Sequence, residues 1–178
     1  MDKYHNALSF NNKLGRLLWR FCYLLLFRPF SLPLFNRWRL FLLRLFGAKI
    51  GSGSKIHASA IIWAPWNLEV GQFTAIGPNA ECYNPGKIVL GNKVTISQHA
   101  YLCAASHDFT KKEHPLITGP IIVEDRAWVA AGAFVAMGLK IGEGAIVGAR
   151  ACAFKDVEPW SIVGGNPARF IKKRIIED

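Results

Sequence analysis

Apolar residues follow two rhythms along this chain. Before Ile50 they come in clusters, and from Ile50 onward an aliphatic returns every sixth position. The clearest run is VEDRAW, VAAGAF, VAMGLK, IGEGAI, VGARAC and AFKDVE, unbroken from Val123 to Glu158. Position one reads Val, Val, Val, Ile, Val, Ala, position two is usually small or acidic, and position five is Ala, Leu or Val. Earlier copies begin at Ile56, Val70, Ile76, Leu90 and Ile96. A fixed internal period marks a solenoid. Each hexad supplies a short strand and a turn, three hexads close one triangular coil, and the position-one aliphatics stack inside as ladders. This predicts an all-β parallel β-helix over residues 50–160. An antiparallel sandwich would alternate by two with turns about every eight to twelve residues, and six hexads in register exclude it. The links are too short for the right-handed crossover rule to apply. Gly71, Gly77, Gly91, Gly142 and Gly148, each following an aliphatic, are expected to supply corner conformations closed to other residues.

Breaks in the register locate what leaves the coil. Asn84-Pro85-Gly86-Lys87 interrupts it with a turn signature. The larger break, residues 103–122, contains ASHDFTKKEHPLITGP, which is polar and proline-containing and is expected as an external loop. Loops on a stiff scaffold are where site residues concentrate. Beyond Pro159 the chain is expected to exit through Gly164-Gly165-Asn166-Pro167 into a basic tail, residues 161–178.

Residues 1–49 form a separate segment. The apolar stretch Leu17 to Phe27 spans eleven residues and contains Arg20, too short for a bilayer span. Pro29 and Pro33 break it, and a second stretch places Phe35, Trp38, Leu42 and Leu45 on one helical face with Arg37 and Arg44 on another. Two short amphipathic helices follow.

Charge sharpens this division. The net charge is +10, with nine Lys or Arg against the single acid Asp2 in residues 1–49 and thirteen against eleven afterwards. Trp19, Trp38 and many Leu and Phe beside Arg16, Arg20, Arg28, Arg37, Arg39 and Arg44 suit a membrane interface with cations toward anionic headgroups. The competing reading is a helical cap packed on the coil with its arginines solvated. Nucleic-acid binding is not expected, because phosphate-binding arms are usually polar between their cations. Cys22, Cys82, Cys103 and Cys152 form no CxxC pair and read as small buried thiols in a reducing cytosol.

Four stretches carry a family resemblance: LLRLFGAKIG (42–51), YNPGKIVLGNKVTISQHAYLCAASHDF (83–109), PIIVEDRAWVAAGAFVAMGLKIGEGAIVGARA (120–151) and FKDVEPWSIVGGNPARFIKKR (154–174). With them the chain resembles the hexapeptide-repeat sugar O-acetyltransferases, nearest to the colanic-acid biosynthesis group. The resemblance implies a left-handed parallel β-helix, acetyl-CoA as co-substrate, a sugar hydroxyl as acceptor and a homotrimer with active sites between chains. His107 falls at the family's catalytic histidine; an imidazole titrating near neutrality can take the proton of a hydroxyl as it attacks a thioester. His114, in the same loop, is its rival. Asp108 and Asn84 fall where the acceptor would bind, with local turn roles as alternatives. Ala130, Ala131, Gly148 and Ala149 match segments whose backbone lines the pantetheine groove, and Lys155, Arg169 and Lys172 fall where cations can meet CoA phosphates. Where relatives often carry a polar pair after Trp-Val, this chain has Ala130-Ala131. No metal site is expected: the similar-looking γ-class carbonic anhydrases use three histidines, two of them five apart, whereas His99, His107 and His114 are spaced eight and seven. The resemblance further implies work on a lipid-linked exopolysaccharide precursor at the inner face of the cytoplasmic membrane. Open alternatives are N-acetylation or longer-chain acylation of an amino sugar, and a non-catalytic scaffold.

Overall fold

The computed structural model describes residues 9–176, so Asp2 and His5 of the basic segment lie outside the described residues. Two helices, α1 (Phe10–Cys22) and α2 (Asn36–Leu45), precede the coil. Five full turns follow: β1 (Lys49–Ile50), β2 (Lys55–Ile56), β3 (Ile61–Ile62); β4 (Leu68–Val70), β5 (Ala75–Ile76), β6 (Glu81–Tyr83); β7 (Ile88–Leu90), β8 (Thr95–Ile96), β9 (Tyr101–Cys103). An excursion carrying β10 (Ala105–His107) and β11 (Leu116–Thr118) leads to β12 (Ile121–Val123), β13 (Trp128–Val129), β14 (Phe134–Val135), then β15 (Lys140–Ile141), β16 (Ile146–Val147) and β17 (Cys152–Ala153). The first face stacks β1-β4-β7-β12-β15 and the third stacks β3-β6-β9-β14-β17, all in parallel. The second face, β2-β5-β8-β13-β16, gains β18 (Ser161–Gly164) in parallel and β19 (Arg169–Lys173) antiparallel.

The ladders are the core. Ile56, Ile76, Ile96, Val129 and Val147 stack behind the second face, and Cys82, Leu102 and Val135 behind the third, all buried. Each such aliphatic contributes roughly 1.5–3 kcal/mol by leaving water. Position five holds Ala80, Ala100, Ala127, Ala133, Ala145 and Ala151, with Thr74 and Val94 elsewhere in the series, all buried, so small side chains predominate inside the corners.

The corners overturn the expected role of the glycines. Gly71, Gly91 and Gly142 do not have positive φ. They are needed because the next rung's backbone runs against them: a Cβ on Gly71 would lie 2.5 Å from Gly91 C, and one on Gly142 2.5 Å from Pro159 N. The left-handed conformation sits at position four, at Phe73, Asn79, Lys93, His99, Arg126, Arg150 and Trp160 as well as Gly132 and Gly144. Side chains there are strained. The coil imposes the shape because position-four amides bond the coil below, Phe73 to Ser52 O, Lys93 to Gln72 O and Arg126 to Asn92 O, with Asn79 donating to the Ser59 hydroxyl instead.

The helical segment packs on the first coil. The Trp19 indole donates to Ile62 O at 2.7 Å, and Asn36 bonds both Ser54 O and Ile56 N. Arg39 departs from the expected solvated or headgroup-facing cation: it is 4% exposed and donates to the carbonyls of Ile56, Phe30 and Leu32. On α2 the buried residues are Arg39, Leu40, Leu42 and Leu43, while Leu45 is exposed. The far end differs from a free tail as well. β19 folds back on β18, and the Arg174 guanidinium donates to Arg126 O and Gly144 O. Among the described residues no helix is long and apolar enough to cross a membrane.

Candidate active site

After β9 the chain leaves the third face as an antiparallel hairpin in which His107 lies opposite Leu116. Its base rests on the other register break. A Cβ on Gly86 would meet Ala104 O at 2.6 Å and Gly119 O at 3.0 Å, so only glycine lets the 84–87 turn support the hairpin's root. Asn84 is buried within this arrangement: its Oδ1 accepts from Ala64 N at 2.9 Å and its Nδ2 donates to Ala64 O at 2.7 Å. The Asn84 amide is thus turned inward and holds two coils together.

His107 is exposed, and its Nδ1 lies 2.6 Å from His114 O. A carbonyl oxygen only accepts, so Nδ1 carries the proton and donates. That contact orients the ring and leaves the lone pair on Nε2. His114, the rival base, thus enters through its backbone, in a strained conformation with φ of 42°. Asp108 does not reach the imidazole by any contact found; its carboxylate accepts from Thr110 N and Thr110 Oγ1 and pairs with Lys111. Those two Thr110 bonds, chiefly the hydroxyl's, hold its carboxyl below the usual range. These contacts tie the hairpin tip into an Asx turn.

Below the hairpin the third face carries an outward aromatic ladder. Trp63 meets Tyr83, Tyr83 meets Tyr101, Tyr101 meets Phe134 and Phe134 meets Phe154, at centroid separations of 5.6–6.5 Å. Partial burial raises the Glu81 carboxyl, and burial raises Tyr101 further with help from Cys103. Cys82 behind them is fully enclosed and its thiol is pushed up to about 12, which makes it an inert core residue. Sequence reading missed this cluster, although Glu81 and Tyr101 both occupy position six, the outward strand position.

The corner between the second and third faces holds the other predicted group. Ala130 N donates to Val147 O and Gly148 N to Val163 O, so both are spent in the coil. The amides of Ala131 and Ala149 donate no hydrogen bond among the described residues. At the preceding corner the equivalent amides of Gln72 and Asn92 are covered by the side chains of Asn92 and Asp125. The Ala131 and Ala149 corner thus keeps two backbone donors open, one coil apart. Lys155, Arg169 and Lys172 are all exposed near this end, Arg169 and Lys172 on β19, whose preceding turn docks through Ala168 N to Cys152 O. Among the described residues no group of three or more His, Cys, Asp or Glu side chains gathers at a point.

No family model matches the sequence. A colanic acid biosynthesis acetyltransferase of Escherichia coli K12, WcaF, is 42% identical over 139 residues, 78% of this chain and 76% of that one. The chain belongs to the hexapeptide-repeat acetyltransferases. As a member of that family it is an acetyl-CoA-dependent acyltransferase. Chloramphenicol acetyltransferase of Klebsiella aerogenes is 36% identical over 121 residues, 62% of this chain and 53% of that one. Two solved structures share the fold: galactoside acetyltransferase with coenzyme A (TM-score 0.85, 19% identity, 94% of this chain and 84% of that one) and a Vibrio cholerae hexapeptide-repeat acetyltransferase with acetyl coenzyme A (TM-score 0.84, 22% identity, 98% and 94%).

Proposed function

We propose that this acetyltransferase moves acetyl from acetyl-CoA to a sugar hydroxyl of a glycan or lipid-linked exopolysaccharide precursor, with His107 as general base. The observation that carries the assignment is the 2.6 Å contact from His107 Nδ1 to His114 O. With Nδ1 committed as a donor, Nε2 takes the hydroxyl proton while the oxygen attacks the thioester carbonyl. It then returns that proton to the departing sulfur, giving an acetyl ester and free CoA. A placed base of this kind supplies about 10² to 10⁴ in rate. No acyl-enzyme is needed.

His107 is exposed on a hairpin outside the regular coil, which suits a homotrimer in which each site lies between neighbours. The open amides of Ala131 and Ala149 suit the pantetheine carbonyls, and Lys155, Arg169 and Lys172 suit the CoA phosphates. Ala130 and Gly148 shape that corner without donating. The colanic acid relative supports a glycan acceptor. The helical cap supports peripheral contact with the inner face of the cytoplasmic membrane, since its outer surface combines exposed Leu17, Phe21, Leu25 and Leu34 with cations alone. The test is CoA release on adding candidate glycans, followed by mild hydroxylamine treatment of the product. An ester is cleaved and supports the reading; a resistant amide would move it to N-acetylation, and no release with any glycan would sink it.

A further inference from the structure

A cleft of about 360 Å³ opens where α1 lies against the start of the third face, walled by Arg16, Arg20, Arg28, Trp19, Tyr23 and Trp63. Its aromatic side is fixed. The Trp19 indole N–H is spent on Ile62 O, and Tyr23 stacks on Phe27 at 5.5 Å. Its cationic side is not neutralised: none of the three arginines has an ion pair among the described residues, and the sequence has no Asp or Glu between Asp2 and Glu69. The Arg16 guanidinium lies 4.3 Å over the Trp63 ring, with only its Nε committed, to Asn12 Oδ1. That stacking holds its remaining N–H donors in place.

Guanidinium forks match phosphate oxygens in pairs and with charge assistance. Three of them around one cleft exceed the needs of a single carboxylate and suit a multiply charged oxyanion. The position is informative too. Trp63 follows β3, two rungs before β9, which puts the cleft roughly 10 Å along the coil axis from the strand that feeds the His107 hairpin. We propose that this cleft binds a phosphate or diphosphate carried by the acceptor, so that its sugar lies along the third face toward His107. The inference rests on the glycan-acetylating reading above. An isoprenoid-diphosphate-linked glycan and a nucleotide-diphosphate sugar share the required chemistry.

Two measurements on the full chain test it. In calorimetric titration with inorganic pyrophosphate, the wild type binds and the Arg20→Gln/Arg28→Gln variant binds about tenfold or more weakly; equal binding, or none to the wild type, overturns the cleft whatever the acceptor proves to be. In acetyl-transfer assays the wild type has a lower KM for a diphosphate-bearing glycan than for the same neutral glycan, and the variant loses that preference. A preference for the prenyl-linked over the nucleotide-linked form, or the reverse, identifies the source. A wild type indifferent to the diphosphate, or a variant that keeps the preference, overturns the proposal. Failure of every glycan to accept acetyl while pyrophosphate still binds would instead remove the function assigned to the protein and leave the anion site standing.

Discussion

The coil and the helical cap both hold many apolar side chains and treat them in opposite ways. In the coil an interior ladder position is closed by the rungs above and below, so Ile76, Ile96 and Val129 are buried, and at the end Ile56 is closed by the next rung and the cap. Among the described residues of the cap, Trp19, Phe27, Leu40, Leu42 and Leu43 are buried and Cys22, Tyr23, Trp38 and Phe46 pack partly against them, while Phe10, Leu17, Phe21, Leu25, Leu34 and Leu45 stay more than half exposed. A repeat solves burial locally, each unit supplying the cover its neighbour needs. The cap is anchored by a few specific contacts and presents the rest. That contrast separates a region built for rigidity from one built to meet something else.

The sharpest way to break it is to cut into each region's anchor. Leu102 is fully buried, and Leu102→Ala should cost about 2–5 kcal/mol, seen as a lowered Tm with hydrogen-exchange protection lost in the flanking coils. Arg39→Ala should cost less, roughly 2–3 kcal/mol, because it strands the carbonyls of Ile56, Phe30 and Leu32 near solvent that can partly replace it. Its exchange should rise in α1 and α2 alone; equal loss of protection through the coil would show that the two regions are one cooperative unit. Glu69 offers a smaller effect. Hydrogen bonds from Lys87 and then Lys49 lower its carboxyl, so it stabilises the fold above the ordinary carboxylate range and loses that contribution as pH falls through its lowered folded value. Glu69→Gln should flatten that acid dependence by less than about 1 kcal/mol. Smallest of all, Leu25→Ser should change stability by under about 0.5 kcal/mol yet weaken co-sedimentation with anionic vesicles. A large stability loss would make Leu25 a core residue and erase the contrast.

The same division governs what could be read from sequence. The hexads announce themselves because one side chain in six must be aliphatic for a ladder to close, and the breaks at 84–87 and 103–122 stand out against that demand. Backbone roles leave no such trace. Composition alone does not separate Gly71, packed against Gly91, from Gly132, whose φ is positive; only their hexad positions, two and four, do. Arg39 looks like its exposed neighbours because burial follows from three carbonyls that only the folded chain brings together. At the site, His107 is legible from its motif, but the partner that orients it is the main chain of His114, which any residue might have supplied. The bonds that Asn84 makes to Ala64, twenty residues away, and that Asp108 makes to Thr110 within the loop are likewise visible only in the folded chain.

The account stands or falls on His107. The direct measurement is kcat for acetyl transfer by His107→Ala at saturating acetyl-CoA beside the wild type. A loss of about 10² to 10⁴ with KM for acetyl-CoA little changed is the predicted result. A variant that keeps wild-type kcat would contradict it.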